Sequence, residues 1–130
     1  MFLTLLSLLG ATVAAPLPSV ELDKRTTHSG RATWFTPGLG NCGYTDSESD
    51  PVIAVSKSFY DQNGGGNCNQ WIQIKNTANG KTAYGHVRDS CPGCGEYDLD
   101  LSPSVFKQLG SLDTGVLPIS WHFEAKGWSP

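Results

Sequence analysis

The sequence predicts an all-β protein, with about six short strands and one or two short helices, closed into a barrel. Short runs rich in Val, Ile, Trp and Thr alternate with clusters of Gly, Asn, Asp and Pro, which is the punctuation of strands and turns. No internal repeat is visible, and residues 26–130 are enough for one domain and no more. In a domain this small, strand edges are best protected by closing the sheet on itself.

The elements follow in order. Residues 31–36 (RATWFT) read as a first strand, closed by Pro37 and Gly38. Residues 52–55 form a short apolar strand after Pro51, residues 56–60 a helical turn, and DQNGGGN (61–67) a flexible loop. Across residues 71–75, Ile72 and Ile74 share one face while Trp71, Gln73 and Lys75 share the other, the period of a half-buried strand. Asn79-Gly80 is a hairpin signal, so residues 81–89 should return antiparallel.

Residues 97–101 make a short strand with Leu99 and Leu101 opposite Asp98 and Asp100. Ser102 then caps a helix with Pro103 at its first position, Val105, Phe106 and Leu109 on its apolar face, and Gly110 at its end. In the last strand, residues 116–125, Ile119, Trp121 and Phe123 alternate with Ser120, His122 and Glu124, which assigns Trp121 to the core.

The N-terminal segment reads as a leader. Residues 1–15 contain an apolar run (FLTLLSLL) followed by small residues, a signal peptide too short to remain as a membrane anchor. Residues 16–25 (PLPSVELDKR) read as a propeptide ending in the dibasic pair Lys24-Arg25, so that residues 26–130 form the mature domain. The expectation is a secreted, extracellular monomer. The formal net charge is −3 and there is no basic run, so neither nucleic acid nor an anionic membrane is an expected partner.

Four cysteines, Cys42, Cys68, Cys91 and Cys94, are an even number for an oxidising compartment, and two disulfides are the default. Three pairings are formally possible. Cys91 and Cys94 are near enough in sequence to close on each other, which would leave Cys42 for Cys68. A redox role for the Cys91-Pro-Gly-Cys94 loop and a four-thiolate zinc site stand as alternatives. Among the histidines, His28 falls in a frayed N-terminus, His86 shares a face with Tyr84 and Arg88, and His122 points away from the core. No trio of residues has metal-ligand spacing, and no cofactor is expected.

Several segments in fixed order carry a resemblance. They are Gly-x-Ala-Thr-aromatic-aromatic (30–35), Asn-Cys-Gly-Tyr (41–44), Cys-x-x-aromatic-x-x-x-Lys-Asn (68–76), Val-Arg-Asp (87–89), Leu-Asp-Leu-Ser-Pro (99–103), and a Trp in the final strand, Trp121. Together they resemble the double-psi β-barrel shared by expansins, barwin-like proteins and the rare lipoprotein A family, and most of all the fungal loosenins. The resemblance implies a six-stranded double-psi barrel with an open polysaccharide groove. It places Thr33, Asp89 and Asp100 in that groove, with Asp100 at the position that serves as general acid in related endoglucanases.

Each assignment has a plainer rival: Asp100 as support for the following helix, Asp89 as a turn residue accepting backbone bonds, and Thr33 as a strand former. Asp98 shares the face of Asp100 by alternation and is read as a solvated carboxylate. Trp34, Trp71 and Tyr97 are the candidates to offer a flat π-face to a sugar ring, with a core role equally open to Trp34.

Activity turns on how many carboxylates are placed for acid–base work. An inverting glycosidase needs an acid and a base on opposite sides of the sugar, about 6.5–9.5 Å apart. The related endoglucanases take their base from near the first strand, yet residues 30–40 (GRATWFTPGLG) contain no Asp or Glu. The expected activity is therefore non-hydrolytic loosening of cell-wall polysaccharide, cellulose, chitin or another glucan. An endoglucanase or lytic transglycosylase using Asp100, and a barwin-like defence or protease-inhibitor module, are the alternatives.

Overall fold

The computed structural model describes residues 26–130; the segments read as signal peptide (1–15) and propeptide (16–25) lie outside the described residues. The elements are β1 (His28–Trp34), β2 (Val52–Ser56), α1 (Lys57–Gln62), β3 (Trp71–Asn76), β4 (Thr82–Cys91), β5 (Leu99–Leu101), α2 (Pro103–Leu109), a 3-10 turn (Leu112–Thr114) and β6 (Leu117–Phe123). The six strands close in the order β1-β5-β2-β4-β3-β6. The pairs β1–β5 and β2–β4 are parallel and the other four are antiparallel. In this ring β3 stands three strands from β5 in either direction, on the opposite wall.

Alternation fills the interior. Ala32, Ile53, Val55, Ile72, Ile74, Leu99, Leu101, Ile119, Trp121 and Phe123 enter one buried cluster, joined by Val105, Phe106 and Leu109 of α2. Trp121 is 1% exposed, and its indole N–H is satisfied by the Tyr97 carbonyl at 2.9 Å. A buried indole needs such a partner, because an unmet donor costs about 1–3 kcal/mol. The hairpin between β3 and β4 turns at Asn79-Gly80, where Gly80 has φ +80°, a conformation that side chains other than glycine rarely adopt.

Several expectations are corrected by tertiary contacts. The first strand begins at His28, which is therefore not frayed: it pairs with Trp121 on β6, and its ring stacks on Tyr97 at 4.7 Å. Ser102 occupies the N-cap of α2, but its side chain makes no capping bond. Its hydroxyl donates to the Asp50 carbonyl and accepts from Val52 N–H, which sews β2 to the helix entry. The loop read over residues 61–67 starts inside α1, a helix capped by Ser56 Oγ accepting from Phe59 N–H.

Both disulfides are formed, Cys42–Cys68 and Cys91–Cys94, and no described cysteine is free. With both bonds formed, no described cysteine offers a free thiolate to the four-thiolate zinc alternative.

Candidate functional site

The strand registers carry one polar row across the barrel wall. Thr33 on β1 pairs with Asp100 on β5, Asp100 pairs with Ala54 on β2, and Ala54 pairs with Asp89 on β4. Asp100 lies outward because its neighbours Leu99 and Leu101 are fully buried. The two acids are thus separated by one small residue, about 10 Å between Cα atoms at two strand spacings.

Asp89 reaches this face through a bulge. Ile53 pairs with Val87 but Ala54 pairs with Asp89, so Arg88 is an extra residue on β4. Strict alternation from Val87 would have turned Asp89 inward. The bulge instead leaves Arg88 and Asp89 both half-buried between buried Val87 and Ser90. Re-aiming a side chain is a common use of a bulge.

The Thr33 hydroxyl donates to Asp100 Oδ1 at 2.8 Å. Burial pushes the Asp100 carboxyl above its ordinary value and the Asp89 charge pushes the same way, while the Thr33 hydroxyl and the Leu101 backbone N–H pull against them. The net effect is a carboxyl held above its ordinary value. Asp89 behaves in part as its plainer rival required, since its Oδ1 accepts backbone N–H bonds from Asn41 at 2.9 Å and Ser90 at 2.8 Å. Asp98 does not join the pair. Its carboxylate accepts from the backbone N–H groups of Arg31 and Gly95 and stands 3.8 Å from the Arg31 guanidinium.

One feature escaped the sequence reading. Residues 40–42 cross over β4 and clasp Asp89: besides its backbone bond, Asn41 donates from its side chain to Ser90 Oγ, and Cys42 N–H bonds the Arg88 carbonyl. A Cβ on Gly40 would stand 2.3 Å from the Arg88 oxygen, so only glycine permits this approach. The Gly-Asn-Cys-Gly run hinted at a tight loop but not at its target. The Cys-Pro-Gly-Cys loop, by contrast, reads from the sequence as a clamp on the two acids, and the Cys91 and Cys94 sulfurs and an Asp100 carboxylate oxygen lie within 4.8 Å of one another, which makes the disulfide a wall of the Asp100 site.

The aromatic candidates fall in different places. Trp34, 38% exposed, has the inward phase of Ala32 but stands at the end of β1, where its indole N–H donates to the Leu112 carbonyl at 3.0 Å. Tyr97, 39% exposed, shares the phase of Leu99 and closes the opposite end of the β1–β5 pair with His28 and Phe59. Both rings thus have the phase opposite to Thr33 and Asp100, one at each end of the β1–β5 pair. Trp71 does not join them. It lies on β3, on the far wall, stacked on His86 at 4.5 Å.

No protein-family model matches the chain. A papain inhibitor from Streptomyces mobaraensis is 32% identical over 120 residues, spanning 88% of this chain and 83% of its own. A point mutant of Clavibacter michiganensis expansin, solved in complex with cellohexaose, superposes with a TM-score of 0.69 and 29% identity, covering 81% of this chain and 54% of the expansin. The chain belongs to the expansin-related, barwin-like family of double-psi β-barrels. It is also similar to an EG45-like domain containing protein from Citrus jambhiri, 25% identical over 72% of this chain and 79% of that protein. The chain spans about half the length of the expansin. Its disulfides and its expansin-like relatives are consistent with an extracellular protein.

Proposed function

We propose that this protein binds cell-wall polysaccharide in an open groove along β1 and β5 and loosens it without hydrolysis. The Thr33–Asp100 hydrogen bond, with Asp89 on the same wall two strands away, carries the reading. A hydrolase acting with inversion needs its base across the sugar from its acid. Asp89 stands beside Asp100 rather than across from it, one of its oxygens is held by two backbone amides, and residues 30–40 offer no carboxylate.

Asp100 accepts from Thr33 through one oxygen and offers the other to sugar hydroxyls, donating as well once acid protonates it, and the exchange competes with hydrogen bonds between glycan chains. Tyr97 and Trp34, each exposed at one end of the β1–β5 pair, are the rings that a chain running past those ends would meet. The related expansin solved with cellohexaose supports a glucan as the occupant. The test is loosening of insoluble cellulose and chitin, with reducing ends counted in the same tubes. Loosening without new reducing ends, lost in Asp100→Asn, is the expected result. Steady accumulation of reducing ends or anhydro-sugars would instead assign an endoglucanase or transglycosylase.

The 32% identical papain inhibitor favours a second reading, inhibition of a papain-like cysteine protease. Titration of papain with the protein decides it: saturable inhibition that persists in Asp100→Asn, with no effect on polysaccharide, replaces the first reading by the second.

A further inference from the structure

The wall opposite the Asp100 groove carries a second set of rings. Outward positions of β3 face outward positions of β4: Trp71 pairs with His86 and Gln73 with Tyr84. The Trp71 and His86 rings stack at 4.5 Å with an interplanar angle of 24°. Tyr84 meets Trp128 of the C-terminal segment at 5.1 Å, and Trp128 is 36% exposed. Gln73 lies between the two ring pairs and donates to the Tyr84 hydroxyl at 3.0 Å. A shallow cavity of about 210 Å³, lined by Asn69, Gln70, Lys126 and Gly127 among others, adjoins this face at the residues that precede Trp71 and Trp128.

We propose that this ring-bearing face of β3 and β4 is a second glycan-binding surface, so that one molecule contacts two neutral polysaccharide chains on opposite walls of the barrel. The inference rests on the reading that the protein's partner is polysaccharide, and it goes beyond that reading by adding a site. The chemistry of the face selects the occupant. Rings with amide, imidazole and hydroxyl groups at their edges match a sugar, which presents C–H groups from its faces and hydroxyls from its rim. An aromatic ring with one wet edge suits such a mixed surface.

Charge points to the same class. Glu124 is engaged by His122 at 3.2 Å, and Lys75 and Lys126 are separate rather than clustered, so neither a polyanion nor an acidic peptide is matched. Burial and the Arg88 charge hold His86 below its ordinary pKa, which keeps the ring beneath Trp71 uncharged near neutral pH. Two opposed sites also give loosening a geometry: a barrel that holds one chain on each wall keeps the two apart, and its second contact forms at high effective concentration.

The experiment is an NMR titration of the intact protein with cellohexaose and, separately, chitin hexamer, following the four indole N–H signals and the backbone amides. Trp71 and Trp128 are expected to shift with saturation. Trp128→Ala should weaken that isotherm about tenfold, one ring contact's worth, while leaving shifts at Thr33 and Asp100 unchanged. Trp128 lies outside the strands, so its loss spares the barrel, and Tyr84→Ala gives an independent check on the same pair. Shifts confined to Thr33 and Asp100 overturn the second surface and leave the groove standing. Shifts confined to Trp71 and Trp128 keep this face as a glycan site but overturn the groove, and with it the holding of two chains at once. Shifts of this face on concentrating the protein without sugar assign it to self-association and overturn the proposal, as does a null result with both hexamers.

Discussion

The Thr33 hydroxyl donates to Asp100 Oδ1 at 2.8 Å across the parallel β1–β5 pair. One bond therefore sets both where the carboxyl points and which of its oxygens is left for a ligand. It also opposes the burial that drives Asp100 toward its protonated form. These opposed effects make the residue testable by its titration as well as by its activity.

Asp100→Asn should lose loosening and gain stability near neutral pH. The folded pKa of Asp100 is raised above its unfolded value near 3.8. Its favourable contribution is therefore complete below that value and is lost as pH rises through the folded pKa. The uncharged variant escapes this loss. Its melting temperature should exceed the parent's near neutral pH, and the gap should close in acid. A variant less stable than the parent across the whole range would show that the carboxylate is needed for the fold.

Thr33→Val and Asp89→Asn should move the Asp100 titration in opposite directions. The first removes a donor to the ionised form and raises the pKa further; the second removes a neighbouring negative charge and lowers it. The amide replacing Asp89 keeps an oxygen for the Asn41 and Ser90 N–H groups, so the loop should hold. Carboxyl carbon NMR of the three proteins reads both shifts directly. If loosening requires the protonated acid, the upper pH limit of activity should follow the same order.

The two disulfides should differ in worth. Cys42–Cys68 closes 26 residues and Cys91–Cys94 only 3. By loop-closure entropy the longer bridge contributes about 2 kcal/mol more. Replacing the Cys42–Cys68 pair with alanines should lower the denaturation midpoint far more than replacing the Cys91–Cys94 pair. The second replacement should instead disturb Asp100, whose carboxylate shares a wall with that bridge, and its titration is the readout.

Gly40→Ala should loosen the clasp on Asp89. The added carbon would meet the Arg88 oxygen at 2.3 Å and the Asp89 Cβ at 3.1 Å, both fixed parts of β4. The loop must lift, releasing the Asn41 bonds, at a cost of about 2 kcal/mol. Faster amide exchange at Asn41 and Ser90, with the remainder of β4 protected, is the expected signature.

Much of this molecule is written in local pattern. Alternation in residues 71–75 and 117–123 sorts Ile72, Ile74, Ile119, Trp121 and Phe123 to the interior, because a strand presents successive side chains to opposite faces. Asn79-Gly80 specifies its hairpin through the conformation that glycine allows. The short Cys91-Pro-Gly-Cys94 spacing favours closure of that loop on itself among three possible pairings, and the bond is formed. Leu99 and Leu101 put Asp100 outside, and the resemblance named Thr33 and Asp89 beside it.

What tertiary structure alone decided is how separate strands come into register. Thr33 and Asp100 are 67 residues apart and meet because β1 pairs in parallel with β5. Asp89 faces outward only because β4 bulges at Arg88, which simple alternation contradicts. The Asn41 clasp and the separation of Trp71 from Trp34 and Tyr97 both follow from barrel closure. Closure couples distant segments through backbone hydrogen bonds whose donors and acceptors every residue carries, so no residue type announces them in advance.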